Sequence, residues 1–315
     1  MFLSILGSYA KVSSSLPALT AKLHYRMSSS GWPLAAVCQM NATPDKQANL
    51  CAAKELLEEA AQRGASMAFL PEAFDYIGSS HEETLALSES LEGNTMMQYS
   101  QMARKLGIWL SLGGFHERGP AWETEKRIYN SNVVMNNKGQ IVSIYRKSHM
   151  FDVELPEKGI SIKESAFTIP GQSLVSPFQT PVGKVGLGVC YDLRFPELSL
   201  ALQKNGAEIL TFPSAFTEVT GAAHWEVLLR ARAIENQCYV LAPAQVGQHH
   251  GKRSSYGHAL AVDPWGVVMG DCGGEKAGVL LVEVDLDKMR SIRTNMPLQK
   301  HRREESFYTR LSDEQ

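Results

Sequence analysis

Gly183-Lys184-Val185-Gly186-Leu187-Gly188-Val189-Cys190-Tyr191-Asp192-Leu193-Arg194-Phe195-Pro196-Glu197 decides the architecture of this chain. Its first half is short, apolar and rich in β-branched residues and glycine, which reads as a buried strand over residues 183–190. Pro196-Glu197 then reads as a helix start, because proline loses nothing in a first turn whose N–H groups have no intrahelical partner. A strand running into a helix is a βα unit, and here a cysteine sits at the join.

The same alternation extends outward. Upstream, residues 34–40 predict a strand. Thr43-Pro44-Asp45 predicts a helix capped by Thr43 with Pro44 first inside, followed by Leu50, Ala53, Leu57 and Ala60 at helical spacing. Strands are expected over 66–70 and 108–113, and a helix over 93–106. Residues 129–135 and 140–145 predict a hairpin across Asn136-Asn137-Lys138-Gly139. Downstream, strands are expected over 208–212, 239–244 and 279–285, a helix over 224–238, and a hairpin around Asp263-Pro264-Trp265-Gly266. No repeat or linker divides the interior. One α+β domain over residues 31–300, with two sheets and flanking helices, is therefore expected, followed by a polar tail over 301–315.

Bulk properties exclude several classes. The 315 residues are 44% hydrophobic with a net charge of −2, and the pI is about 6.5. A nucleic-acid partner would call for a concentrated basic surface. No run of eighteen apolar residues is present, so no membrane-spanning helix is expected. Five cysteines at irregular spacing, with no CxxC pair, favour neither a disulfide framework nor a cysteine zinc site. Residues 1–30 hold Lys11, Lys22 and Arg26 among eight serines and no acid. That composition matches a mitochondrial transit peptide. A start at Met27 gives the same domain without it, so location in both mitochondria and cytoplasm is expected.

Three polar residues share one kind of position. Glu72 follows the strand at 66–70, Lys147 follows the strand at 140–145, and Cys190 ends the strand at 183–190. Strand ends aim reactive groups rigidly. Singly, each has an ordinary reading as a loop carboxylate, a solvated charge or a core thiol. Taken together they form a set with a base, a cation and a nucleophile.

Leu70-Pro71-Glu72, Tyr145-Arg146-Lys147 and residues 188–197 resemble, in this order, the three catalytic motifs of the nitrilase superfamily of carbon–nitrogen hydrolases. Residues 213–216, 224–233 and 263–266 are also similar to it, so the resemblance covers about residues 34–303. It implies a four-layer α-β-β-α sandwich and an amidase. By motif, Glu72 is the general base, Cys190 the nucleophile, and Lys147 the oxyanion donor, aided by the N–H of Tyr191. Glu164 is the second glutamate that orients the lysine; Glu154 and Glu157 fit that motif less well. The chemistry requires no metal and no cofactor: a thiol needs an adjacent base near neutrality, and acyl transfer needs preorganised donors.

The resemblance also bears on substrate. Arg194, at a helix start four residues after Cys190, is a candidate fork for a substrate carboxylate, with a salt bridge to Asp192 or Glu197 as the structural alternative. Tyr191, Phe216 and Thr217 are candidates for the pocket wall. The implied substrate is a small amide that also bears a carboxylate. The branch it most resembles hydrolyses the amide joining α-ketoglutarate to cysteinylglycine, a metabolite-repair step. The alternative is an ω-amidase acting on α-ketoglutaramate or succinamate; a non-catalytic binding protein is the reading from another class. Met150-Phe151-Asp152 and Glu157-Lys158 depart from the pattern of the first branch. A homodimer or higher homo-oligomer pressing helix layers together is implied, with the helix at 224–238 a contributor. His149 reads as packing, His249-His250 as solvated in a polar loop, and Gly113-Gly114 as an isolated pair.

Overall fold

β1 (Leu34–Met40) is apolar on both faces. Ala35 and Val37 join one core, while Ala36, Cys38 and Met40 join another. A strand buried on both sides needs a layer above and a layer below. The computed structural model describes residues 31–158 and 160–309; the expected leader over residues 1–30 lies outside them.

Among the described residues the larger sheet has eight strands. β1, β2 (Met67–Leu70), β3 (Trp109–Glu117), β4 (Tyr129–Met135) and β5 (Ile141–Arg146) lie side by side in chain order. A separate hairpin follows, β6 (Asp152–Leu155) with β7 (Ile160–Lys163). The smaller sheet then begins with β8 (Phe178–Thr180), β9 (Gly183–Leu187), β10 (Ile209–Thr211) and β11 (Tyr239–Ala242). The chain returns to the larger sheet as β12 (Ala244–His250) and β13 (Arg253–Tyr256), and again to the smaller as β14 (Leu260–Val262) and β15 (Val268–Asp271). β16 (Gly278–Glu283) closes against β1.

Helices cover both sheets. Leu57 and Ala53 of α1 (Lys46–Gln62), with Tyr99 and Ala103 on the helix Asn94–Leu106, pack with Ala68, Leu70, Leu110 and Leu112 of the larger sheet. Met67 and Phe69 turn the other way, into a core shared with Val185, Leu187 and Ile209 of the smaller sheet. Leu198 and Leu202 of the helix Pro196–Lys204, and Trp225 and Leu229 of the long helix Glu218–Asn236, extend that core. Each fully buried side chain of this size contributes about 1.5–3 kcal/mol. The result is the expected α+β sandwich.

Four of the boundaries that differ from the sequence reading have a clear physical reason or bear on the site. Asp45, not Thr43, caps α1: its carboxylate accepts from the N–H groups of Gln47 and Ala48. The long helix begins at Glu218 under a Thr217 cap, six residues earlier than its periodicity shows. Gly221 hides that turn, because the helix presses against Tyr256 there: a Cβ on Gly221 would lie 2.3 Å from the ring. The strand expected over 239–244 is two strands in two sheets, changing over at Pro243. The strand before Cys190 stops at Leu187.

Candidate active site

β9 and β10 run parallel, and both stop just short of the site. Beyond β9 the chain is bolted to its neighbour: the N–H of Gly188 donates to Thr211 at 3.0 Å and that of Cys190 to Pro213 at 2.9 Å. Cys190 therefore does not end a strand. It opens a 3-10 turn, Cys190–Arg194, with a left-handed backbone, φ +46°. A non-glycine residue held there is strained, and such strain persists only where the surroundings over-determine it.

Asp192 supplies much of that determination. It is fully buried, and its carboxylate accepts from the N–H of Val189 at 2.9 Å and the Tyr145 hydroxyl at 2.9 Å. It also accepts from the His149 backbone at 3.1 Å and ring Nδ1 at 2.7 Å. Tyr145 and His149 flank Lys147, so one carboxylate pins the cysteine turn to the lysine segment. His149, stacked 3.7 Å from Phe195, is thus packing, as read from the sequence.

Glu72 follows β2 and Lys147 follows β5, and the fold brings both to Cys190. Glu72, Lys147, Glu164 and Cys190 are all buried. The Lys147 ammonium donates to Glu164 Oε2 at 2.8 Å and Oε1 at 3.0 Å, and to Glu72 Oε1 at 3.2 Å. Glu164 stands in the 3-10 turn after the β6–β7 hairpin and also accepts from the Phe151 N–H at 2.7 Å. The Cys190 thiol and Glu72 line the same pocket, close enough for each to act on the other's ionisation. Glu72 Oε2 accepts from the N–H of Ala215 at 3.0 Å.

Protonation states follow from these contacts. Burial works hardest against ionising Glu72, yet Lys147, the Cys190 thiol and Asn130 together hold its carboxyl below the ordinary 4.5. Burial also opposes charge on Lys147; the carboxylates of Glu164 and Glu72 outweigh it and hold the ammonium well above 10.5. Burial, reinforced by the charge of Glu72, pushes the Cys190 thiol up. The resting site is thus carboxylate, ammonium and neutral thiol. That set can pass a proton from sulfur to Glu72 while a cation waits for negative charge.

Cys190 stands where two adjoining pockets meet. One is lined by Glu72, His116, Asn130, Lys147, Glu164 and Arg253. The other is lined by Tyr191, Arg194, Phe216, Thr217 and Thr220. Phe151, Ala215 and Thr217 belong to both. Arg194 and the three candidate wall residues from the sequence, Tyr191, Phe216 and Thr217, thus all line the second pocket. Arg194 forms no ion pair with Asp192 or Glu197 among the described residues. Its guanidinium lies 3.2 Å from His224 Nδ1 and over the rings of Tyr191 and Phe216. The Tyr191 N–H donates to no protein acceptor among the described residues, so it is available to an oxyanion.

Several contributors were not singled out by sequence reasoning. Asn130 donates to Glu72 at 2.8 Å and Glu164 at 3.3 Å, bridging both carboxylates. Gln245 donates to the Glu72 carbonyl at 2.9 Å. Gly113-Gly114 passes directly beneath the base, where a Cβ on Gly114 would lie 2.6 Å from Glu72 Cα; paired glycines inside a strand are the available signal of such close approach. Asn130, Gln245 and Arg253 carry no comparable mark. His249 corrects the sequence reading: it is buried on β12, its Nδ1–H donating to Ala42 and its Nε2 accepting from Ser255, both at 2.8 Å.

A family model described as carbon–nitrogen hydrolase matches residues 34–294. The chain belongs to this family. It is a hydrolase of carbon–nitrogen bonds in amides. The deaminated glutathione amidase of Bos taurus is 58% identical over 87% of this hydrolase and 83% of that protein. The Homo sapiens enzyme of the same name is 58% identical over 87% and 84%. The hydrolase also superposes on the C. elegans NitFhit protein with a TM-score of 0.81 at 45% identity, covering 86% of its own length and 65% of that chain.

Proposed function

We propose that this hydrolase cleaves deaminated glutathione to α-ketoglutarate and cysteinylglycine through a thioester on Cys190. The observation that carries the mechanism is Cys190, Glu72 and Lys147 lining one buried pocket, with the ammonium 3.2 Å from the Glu72 carboxylate. The substrate reading is supported by the two relatives named deaminated glutathione amidase, and by Arg194 on the pocket wall.

In this reading Glu72 takes the thiol proton as sulfur attacks the amide carbonyl and the C–S bond forms. Charge on the carbonyl oxygen falls to the Lys147 ammonium and the Tyr191 N–H. Glu72 returns the proton to nitrogen, the C–N bond breaks and cysteinylglycine leaves. Glu72 then deprotonates a water that attacks the thioester, α-ketoglutarate departs, and the thiol is restored. Glu164 and Asn130 hold Lys147 and Glu72 in position and touch no reacting atom.

Two measurements together test this. Intact-mass analysis should find an α-ketoglutaryl adduct that Cys190→Ala abolishes. Because α-ketoglutaramate yields the same adduct, substrate choice must come from kinetics. Higher kcat/KM for deaminated glutathione is expected; equal values, or preference for the primary amide, would overturn the substrate assignment.

Self-association is part of the proposal. Val227 and Ile234 on the long helix, with Trp265 and Val267 beside it, expose apolar surface. Gly266 packs on Ile234 and accepts from Arg230 at 2.9 Å, making these one patch. Contiguous apolar surface of this kind marks interfaces. Light scattering should report a dimer or larger, which Val227→Asp weakens; an unchanged monomer refutes it. Dual mitochondrial and cytoplasmic location is likewise proposed. Separately tagged full-length and Met27-start forms should distribute differently.

A further inference from the structure

We infer that Arg253 binds the carboxylate at the far end of the leaving amine, and so sets the preference between a peptide-like amide and a primary amide. This rests on the reading that the substrate is deaminated glutathione, whose two carboxylates stand on opposite sides of the scissile bond.

The two pockets meeting at Cys190 give the two arms of such a substrate different surroundings. The proton that the leaving nitrogen needs is on Glu72, and Glu72 lines only the first pocket. The leaving arm must therefore enter the first pocket and the acyl arm the second. Arg194 lines the acyl pocket alone, and Arg253 lines the leaving pocket alone.

Arg253 is suited to the task. It stands at the tip of the β12–β13 hairpin, paired across it with His250. Among the described residues its guanidinium makes no ion pair and no hydrogen bond to a protein group. Its positive charge nevertheless reaches Glu72. The interior of the leaving pocket carries Glu72 and Glu164 against one Lys147, and an extra carboxylate placed deep there would be repelled. An arginine at the mouth holds that carboxylate away from the two glutamates while the amide reaches Cys190. His116 narrows the same wall, its ring fixed by Asp75 at 2.9 Å and stacked on Tyr76.

The test is Arg253→Gln, assayed with three substrates: deaminated glutathione, the same molecule with its glycine carboxylate amidated, and α-ketoglutaramate. A charge-assisted fork of this kind accounts for about 10- to 100-fold in kcat/KM. The variant should lose that factor on deaminated glutathione relative to α-ketoglutaramate, which lacks a leaving arm, and chiefly in KM; any loss through the charge felt by Glu72 is shared by both substrates. Wild type should lose the same factor on the amidated substrate, and on it the variant should lose no more than it loses on α-ketoglutaramate. Arg194→Gln should weaken all three. Equal loss of Arg253→Gln on all substrates, or no loss on any, overturns the inference alone. Wild-type turnover of only α-ketoglutaramate overturns the substrate reading and this inference with it.

Discussion

The carboxylate of Glu72 is carried by the larger sheet and clamped by the smaller: its Oε2 accepts from the Ala215 N–H at 3.0 Å. Cys190 belongs to the smaller sheet, so this bond fixes the distance between base and nucleophile across the sandwich. The chemistry depends on how two sheets stack, and on the polar groups that hold Glu72 in register.

Asn130 is one of those groups, and its hydrogen bond helps to lower the Glu72 carboxyl. Asn130→Ala removes that help, so Glu72 should titrate at higher pH. The acid limb of the kcat/KM profile should move upward, with the alkaline limb little changed. An unmoved acid limb would count against Glu72 as the titrating base.

Lys147→Met should lower kcat by at least about 100-fold, as expected for an oxyanion donor. It also strands Glu72 and Glu164 in a buried site, which costs about 3–5 kcal/mol. The lysine's folded pKa lies above its ordinary 10.5. Its contribution to stability is therefore complete below about pH 10.5 and is lost only as pH rises through the folded value. Urea unfolding at neutral pH should show the full deficit.

Gly114→Ala should damage activity without touching substrate. Gly114 has φ +71°, and its new Cβ would meet Glu72 Cα at 2.6 Å. Strain of about 1–3 kcal/mol is expected, together with a fall in kcat as the base shifts. Gly251→Ala is the control, since nothing lies within 4 Å of its Cβ position. Thermal unfolding and kcat measured on both variants decide the matter.

His249 gives an acid-sensitivity prediction. Burial first, then the charge of Arg253, lowers it from 6.5 to about 4. Between those values the unfolded chain binds a proton that the folded chain refuses. Stability is therefore complete above about pH 6.5 and declines toward pH 4, by up to about 3 kcal/mol. His249→Gln should flatten the Tm-against-pH curve in that window; an unchanged slope would assign the acid loss elsewhere.

Much of this was legible in the sequence. Alternating and helical apolar periods mark most strands and helices, because burial of a face is written in local spacing. Gly107 and Pro196 mark ends, because each restricts or frees its own backbone. The ordered motifs around Glu72, Lys147, Glu164 and Cys190 named four residues that the fold does bring together.

Tertiary structure alone decided the rest. The left-handed turn at Cys190 exists because Tyr145 and His149 anchor its Asp192, and Thr211 and Pro213 hold the backbone of Gly188 and Cys190, all from outside the turn's own sequence. The sheet change at Pro243, the burial of His249, and the roles of Asn130, Gln245 and Arg253 depend on distant partners, such as Glu164 34 residues from Asn130 and Ala42 207 residues from His249. A cysteine's neighbours in sequence name it as a nucleophile. What it faces, and which arm of a substrate lies on each side, is set by chain segments that meet only when the two sheets close.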